Sequence, residues 1–281
     1  MVAVALGLAA GISWGIADFI GGLKSRQRGV LIVLVLSQAV GALLLGVIVA
    51  ARGQGPPESE YLIYGVLAGL SGLAGLAAFY RGMAVGAMAV VAPISATGAA
   101  IPVAVGLSTG DRPGALQAFG LVFALVGVVL ASREKGHGAA ATTRVAAGTG
   151  LALVAAVGFG GFFVGMDVAS DGDVLWALLA ARTCDTLLLV GVALAVRSHI
   201  GLSAGDGRDL VAVGVFDVGA NALFAFASTQ GLVSLVAVLA SLYPVTTIFL
   251  AGLILKERIR RSQGVGVVLA LAGVVAIASG G

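Results

Sequence analysis

DRPGALQAFGLVFALVGVVL, residues 111–130, is answered 146 positions later by ERIRRSQGVGVVLALAGVVA, residues 257–276. At that shift Asp111 meets Glu257, Gln117 meets Gln263, Gly120 meets Gly266 and Gly127 meets Gly273. Two glycine-rich apolar segments match easily by chance. An acid, a glutamine and two glycines at a common spacing are a stronger coincidence. A looser match opens the two halves, where LAAGISWG (residues 8–15) aligns with LVAAVGFG (residues 153–160) at a shift of 145. The chain therefore reads as a duplication.

Composition says what is duplicated. The 281 residues are 59% hydrophobic and 10% charged, with 44 glycines. Soluble domains carry about 25% charged residues, so this chain cannot cover itself in water. Its mean hydropathy is +1.11. Ten apolar stretches are long enough to cross a bilayer, near 2–22, 30–50, 61–80, 84–107, 115–132, 146–166, 174–196, 210–229, 231–253 and 264–279. Long unbroken apolar runs are not the alternating pattern of a membrane β-barrel. The expected fold is an all-α polytopic membrane protein of ten transmembrane helices. Abundant glycine and alanine predict helices packed closely through small faces. The single cysteine, Cys184, excludes an internal disulfide. No basic residue precedes the first apolar segment, which is read as a retained span rather than a cleaved signal.

The longest polar link, SREKGHGAAATTR (residues 132–144), separates five spans from five. The expected organisation is a first five-helix repeat over 1–132, a connecting loop over 133–145 and a second five-helix repeat over 146–281. Five is odd, so the second copy must enter the membrane from the opposite side. Inverted repeats are a frequent plan of secondary transporters, with the site near the midplane between the copies. Basic residues collect in cytoplasmic loops. The odd-numbered connections carry Lys24, Arg26, Arg28, Arg81, Arg133, Lys135, Arg144, Arg197, Arg208, Lys256, Arg258, Arg260 and Arg261, against Arg52 and Arg112 in the even ones. This bias places the odd connections in the cytoplasm and both termini outside.

The stretch SLYPVTTIFLAGLILKERIRRSQGVGVVLALAGVVAI, residues 241–277, resembles the last two spans of EamA-type transporters of the drug/metabolite transporter superfamily. Pro244, the Glu257–Arg258 pair, Gln263, Gly266 and Gly273 fill the pattern. GLAAGISWGIADFIGG (residues 7–22), with its Trp14–Gly15 pair, looks like the family's opening span, and Arg182 like an arginine often found in the second span of each half. The resemblance implies a ten-helix secondary transporter with a central cavity between halves, moving amino acids, other metabolites or drugs, often outward. It also implies cytoplasmic termini, against the charge bias.

Polar residues inside the spans are the candidate site. Charge at the bilayer centre is costly and marks function or pairing. Asp217, Asn221, Phe224 and Ser228 share one helical face at i, i+4, i+7 and i+11. The stripe either binds helices together or lines a wet cavity that meets substrate. Asp18 is an interfacial carboxylate near Lys24 and Arg26, or a gating or proton-accepting acid with Trp14 as cavity wall. Gly7, Gly11, Gly15 and Gly22 form a small-residue stripe beside them. Arg81 is a snorkelling edge residue or a contact for an anionic group. Arg182 and Asp185, at i, i+3, read first as a structural ion pair and second as substrate or coupling chemistry. Ser37 and Gln38, opposite Arg182 in the repeat register, read as interhelical hydrogen-bonders, and Trp176 as an interfacial anchor. Pro93, Pro102 and Pro244 can kink spans 4 and 9, either to shape cavity walls or as ordinary packing bends.

The function these features point to is alternating-access transport of a small metabolite, amino acid or drug-like compound, in the direction of export. No cofactor or metal is expected, and the candidate partners are a small-molecule substrate, a coupling proton and the lipid bilayer, with no nucleic acid. The alternatives are an intramembrane enzyme and a channel. His137 and His199 fall in loops, there is no His-Glu-x-x-His motif, and the mid-span acids define no pore ring. Short loops fit a bacterial inner membrane.

Overall fold

The computed structural model describes residues 1–85, 88–131, 139–197, 204–254 and 261–280. The secondary structure of these residues is all helical: α1 (Val2–Arg28), α2 (Val30–Arg52), α3 (Ser59–Val85), α4 (Met88–Ala96), α5 (Ala100–Thr109), α6 (Ala115–Ala131), α7 (Ala139–Ser170), α8 (Val174–Ala195), α9 (Ala204–Ser228), α10 (Val233–Ala240), α11 (Tyr243–Ile254) and α12 (Arg261–Ser279), joined by turns and short irregular links. Among the described residues six helices are long and apolar enough to cross a membrane: α1, α2, α3, the Gly148–Ser170 part of α7, α8 and the Gly205–Ser228 part of α9. Four shorter apolar stretches, Ile94–Thr109, Ala115–Leu130, Val233–Thr247 and Gly264–Ser279, occupy the fourth and fifth places of each half.

Two readings gain detail in the structure. The connecting loop over 133–145 is helical from Ala139 onward, since its alanine-rich second half continues into span 6, while 132–138 lie outside the described residues. Spans 4 and 9, the two that carry the candidate kink prolines, are each interrupted. A 3-10 turn, Thr97–Ala99, divides α4 from α5, and a turn at Ser241 and Leu242 divides α10 from α11. Pro102 and Pro244 sit in the first turns of α5 and α11. There the missing N–H has no partner to lose within α5 or α11, and each proline follows closely on the interruption of its span. Pro93 falls inside α4.

The duplicated segment of the opening comparison explains itself in space. α6 and α12 pack together through their glycines. A Cβ at Gly120 would lie 2.7 Å from the Gly273 carbonyl oxygen, and one at Gly127 would lie 2.8 Å from that of Gly266. Residue numbers fall on one helix as they rise on the other, so the two copies run antiparallel. Each glycine of one copy meets the other glycine of its twin, as a two-fold axis requires. Gln117 closes the start of α6 by accepting from the Gly114 amide at 2.9 Å, the reciprocal half of a capping box. Asp111 accepts from the Ser234 amide at 3.0 Å, satisfying an otherwise orphaned donor in the first turn of α10. Glu257 lies outside the described residues.

The same exchange runs through the bundle. Spans 1 and 8 pack as α1 on α9, and spans 3 and 6 pack as α3 on α7, each the image of the other under the repeat. Spans 2 and 7 pack as α2 on α8. The predicted glycine stripe of α1 is a packing face: Gly7 and Gly11 meet Leu239 and Ala240 of α10, and Gly15 meets Thr246 of α11. Such close backbone approach strengthens dispersion where lipid offers no hydrophobic drive.

The ends of the bundle are tied by charge. Lys24 binds Asp206 at 3.1 Å and Asp209 at 2.8 Å, Arg28 binds Asp206 at 2.6 Å, and Arg26 donates to the Met83 carbonyl at 3.0 and 3.1 Å. These groups belong to odd connections. At the other end Arg52 meets Asp173 at 2.8 Å. Met1 and Ala278 border one hollow with Gln117 and Gln230 at that even end, so both termini lie together.

Candidate functional site: a charged cavity between the halves

A cavity of about 60 Å³ opens where spans 1, 2 and 3 of the first half face spans 6, 7, 8 and 9 of the second. Its polar lining is Asp18 from α1, Gln38 from α2, Arg182 and Asp185 from α8, and Asp217 and Asn221 from α9. Aromatic rings of Trp14, Phe159, Phe162, Phe163 and Tyr243 form much of the remaining wall. Among the described residues, spans 5 and 10, packed on each other, contribute none to its lining.

Arg182 anchors the electrostatics. Its Nη2 meets Asp217 Oδ2 at 2.8 Å, and its Nη1 donates to Gln38 Oε1. A guanidinium presents a planar fork of donors, and here the fork joins α2, α8 and α9. Gly41 of α2 lies beside it: a Cβ there would lie 3.7 Å from the Arg182 Cδ, an ordinary van der Waals contact. Asn221 donates to the carbonyl oxygen of Asp217 one turn earlier and lies 3.4 Å from its Oδ1. The expected Arg182–Asp185 ion pair is not formed. The long arginine side chain spans to the neighbouring helices, while Asp185 stays on its own helix with Oδ1 buried and without a hydrogen-bond partner. Gln38, expected as an interhelical hydrogen-bonder, is one.

Asp18 is buried at 6% exposure and faces the cavity. Lys24 and Arg26, its expected interfacial neighbours, are engaged with Asp206, Asp209 and the Met83 carbonyl instead. Trp14 stands one turn before it, edge-on to Phe162 with centroids 6.2 Å apart, and 5.7 Å from Phe163 and 6.2 Å from Phe224. Phe224 is fully buried behind them. A second aromatic group, Phe79, Phe159 and Tyr243, has centroids 5.7–6.4 Å apart. Tyr243 sits at the break in span 9 and shares a 2.7 Å hydrogen bond with Ser95 from span 4.

Two candidates lie elsewhere. Ser228 is buried at the even end of α9, where its hydroxyl donates to the Ala225 carbonyl at 3.1 Å. Arg81 is exposed near the end of α3 and does not line the cavity. Trp176, read as an edge anchor, donates from Nε1 to the Gln54 carbonyl at 3.2 Å. Beside it Asp173 caps α8, accepting from the amides of Leu175 and Trp176 at 3.0 Å. Partial burial pushes the Asp173 carboxyl up, but its bonds with Arg52 and those two amides outweigh this and hold it below the ordinary 3.8.

Apart from Trp14, the aromatic wall went unlisted among the sequence candidates, yet a signal for part of the rest was present. The alignment of residues 8–15 with 153–160 pairs Trp14 with Phe159, and both line the cavity. Tyr243 carried no such mark.

Comparison with known proteins agrees with this architecture. A solved crystal structure superposes over 98% of this chain and 95% of its own length, with a TM-score of 0.74 at 16% identity, a likeness of fold alone. No curated protein sequence matches. Residues 1–133 and 146–279 each match the EamA-like transporter family. With several apolar helices of membrane-spanning length and a family match in both halves, this chain is an integral, multi-pass membrane protein that belongs to the EamA-like transporter family.

Proposed function

We propose that the protein is a secondary transporter that carries a small metabolite, amino acid or drug-like compound by alternating access, in the direction of export. The observation that carries this reading is the cavity itself, which places acids and a base from both repeats deep between the two halves. Six of the residues singled out in the sequence, Trp14, Asp18, Arg182, Asp185, Asp217 and Asn221, border it. At about 60 Å³ it is smaller than the roughly 300 Å³ at which ordinary ligand pockets begin. Helices must therefore part to admit a solute, and the two ends supply matching points of separation.

The Lys24–Asp206 and Arg28–Asp206 pairs join connections 1–2 and 7–8. The Arg52–Asp173 pair joins connections 2–3 and 6–7. The repeat exchanges one set of connections for the other, so the two latches are counterparts on opposite faces. Rocking one half against the other opens one latch while the other holds. The working unit comprises ten crossings, five in each of the repeats 1–132 and 146–281, with the broken spans 4 and 9 completing the count.

Charge balance supports coupling. Asp18, Asp185 and Asp217 face one guanidinium in the cavity, and buried charge must be neutralised. Protons or a cationic solute can do so, and proton exchange would drive export. We place the protein in a bacterial inner membrane with the basic, odd-numbered connections in the cytoplasm. Reconstitution into proteoliposomes with radiolabelled metabolite pools tests transport. Saturable, solute-specific exchange that accelerates under an imposed proton gradient is the expected result, and chemical conversion without movement would reject it.

A further inference from the structure

Resting on that reading, we infer that the solute is an organic cation with an aromatic or similarly apolar body, held by Asp18 and Asp185 against the ring wall of the cavity. Three observations converge on this chemistry. The first is charge. The ionisable groups that face the cavity are Asp18 from α1, Arg182 and Asp185 from α8, Asp217 from α9 and the Tyr243 phenol from α11. Arg182 is already bonded to Asp217 and Gln38, so its positive charge is spent inside the protein. Among the described residues neither Asp18 nor Asp185 is in an ion pair, and the buried Oδ1 of Asp185 has no hydrogen-bond partner. An anion would enter a region whose charged groups outside any ion pair are both carboxylates. A cation meets two.

The second observation is the wall. Trp14, Phe159, Phe162, Phe163 and Tyr243 border the same space. Indole and phenyl faces carry negative quadrupole potential and attract cations, most strongly where water is excluded. The third is the apolar part of the lining, Gly69, Gly72, Leu73, Leu76, Leu178 and Ala181, which offers shape and no polar partner beside the engaged Gln38 and Asn221. A small hydrophilic ion would leave it unsatisfied, whereas an amphipathic cation covers it. Zwitterions are disfavoured because their carboxylate would face Asp18, Asp185 and Asp217, and the one cationic group of the described lining, Arg182, is bonded to Asp217 and Gln38.

Equilibrium binding to the detergent-solubilised full chain tests this with three radiolabelled probes of similar size: phenyltrimethylammonium, benzenesulfonate and L-phenylalanine. The expected result is at least tenfold tighter binding of phenyltrimethylammonium than of either other probe. Asp18→Asn combined with Asp185→Asn should weaken it at least tenfold, with the elution volume of the variant unchanged on size exclusion. The charge preference of the unmodified protein stands as a test even if the variant fails to fold. Equal or tighter binding of benzenesulfonate or L-phenylalanine would overturn the inference, as would cation binding unchanged in a folded double variant. The same probes in proteoliposomes keep the two readings apart. Uptake of the zwitterion or anion in preference to the cation rejects the cationic class and leaves transport standing. Tight cation binding without movement of any solute supports the class and rejects transport.

Discussion

Arg182 has one carboxylate three residues away on its own helix and another across the interface, and it bonds the second. The choice has a thermodynamic consequence. Removing one member of a buried ion pair strands the other, at a cost of about 3–5 kcal/mol. Asp217→Leu and Arg182→Met should each destabilise by that order, and the double variant should recover much of the loss. Asp185→Leu should behave differently. It removes a buried oxygen without a partner, so stability should hold or rise by up to about 1–3 kcal/mol, while transport falls. Unfolding in detergent, read as two double-mutant cycles, checks this. A larger coupling of Arg182 with Asp185 than with Asp217 would restore the same-helix pair. That pair was the natural reading of residues 182 and 185, because spacing along a helix is visible in a sequence. Lateral partners are not, because they depend on which helix faces which. Burial of Asp18 was open for the same reason: Lys24 and Arg26 are near it in sequence, but Asp206 and the Met83 carbonyl lie nearer to them in space.

Helices here meet through missing side chains. A Cβ added at Gly127 would come within 2.3 Å of the Ala270 backbone nitrogen, whereas one added at Gly46 of α2 would meet nothing within 4 Å. Gly127→Ala should therefore push α6 from α12 and destabilise by about 1–3 kcal/mol, the usual cost of overpacking. Gly46→Ala should be neutral or stabilising by up to about 1 kcal/mol through helix propensity. Thermal unfolding of the two variants side by side separates packing from propensity, and equal effects would argue against the glycine interface. The start of α8 carries a pH dependence. The folded Asp173 carboxyl lies below its ordinary 3.8, so the stability it contributes is present above that value. It is lost as pH falls through the depressed folded value. Protection of the Leu175 and Trp176 amides, taken relative to their intrinsic exchange rates, should therefore fall as pH drops below about 3.8 in the protein but much less in Asp173→Asn, which has no carboxylate to lose. Protection that does not fall in acid would show that the Asp173 carboxylate does not hold this end.

At the scale of the molecule, the pairing of spans is set by the repeat. Spans 1 with 8 and 3 with 6 are images of each other, and spans 2 with 7 and 5 with 10 lie across the axis. Both termini come to the even end, which holds Arg52 and Arg112, while the odd connections hold thirteen basic residues. Insertion follows the basic loops, so the even end should lie outside. A periplasm-active phosphatase fused after Gly281 should be active, and a cytoplasm-active fluorescent protein at the same point should be dark. The opposite pattern would reverse the orientation and, with it, the assignment of the Lys24–Asp206 latch to the cytoplasmic side.

The sequence by itself determined that the chain enters the membrane, that it does so in two related halves, and which segments correspond. Those properties follow from apolar length, loop charge and the spacing of residues such as Gln117 and Gln263, all local along the chain. It also marked most of the charged groups that border the cavity, because an ionisable residue inside an apolar run is conspicuous wherever it points. Tertiary structure alone decided that Arg182 bonds Asp217, that Ser228 and Arg81 stand outside the cavity, and that Tyr243 stands within it. It also decided that spans 4 and 9 divide into α4 with α5 and α10 with α11. Their apolar runs look continuous, because hydropathy reports only that a segment avoids water. Where a helix breaks, and which face it turns inward, depends on the helices packed against it. Here Asp111 of one half satisfies the start of α10 in the other, a contact 123 residues long that no local pattern encodes.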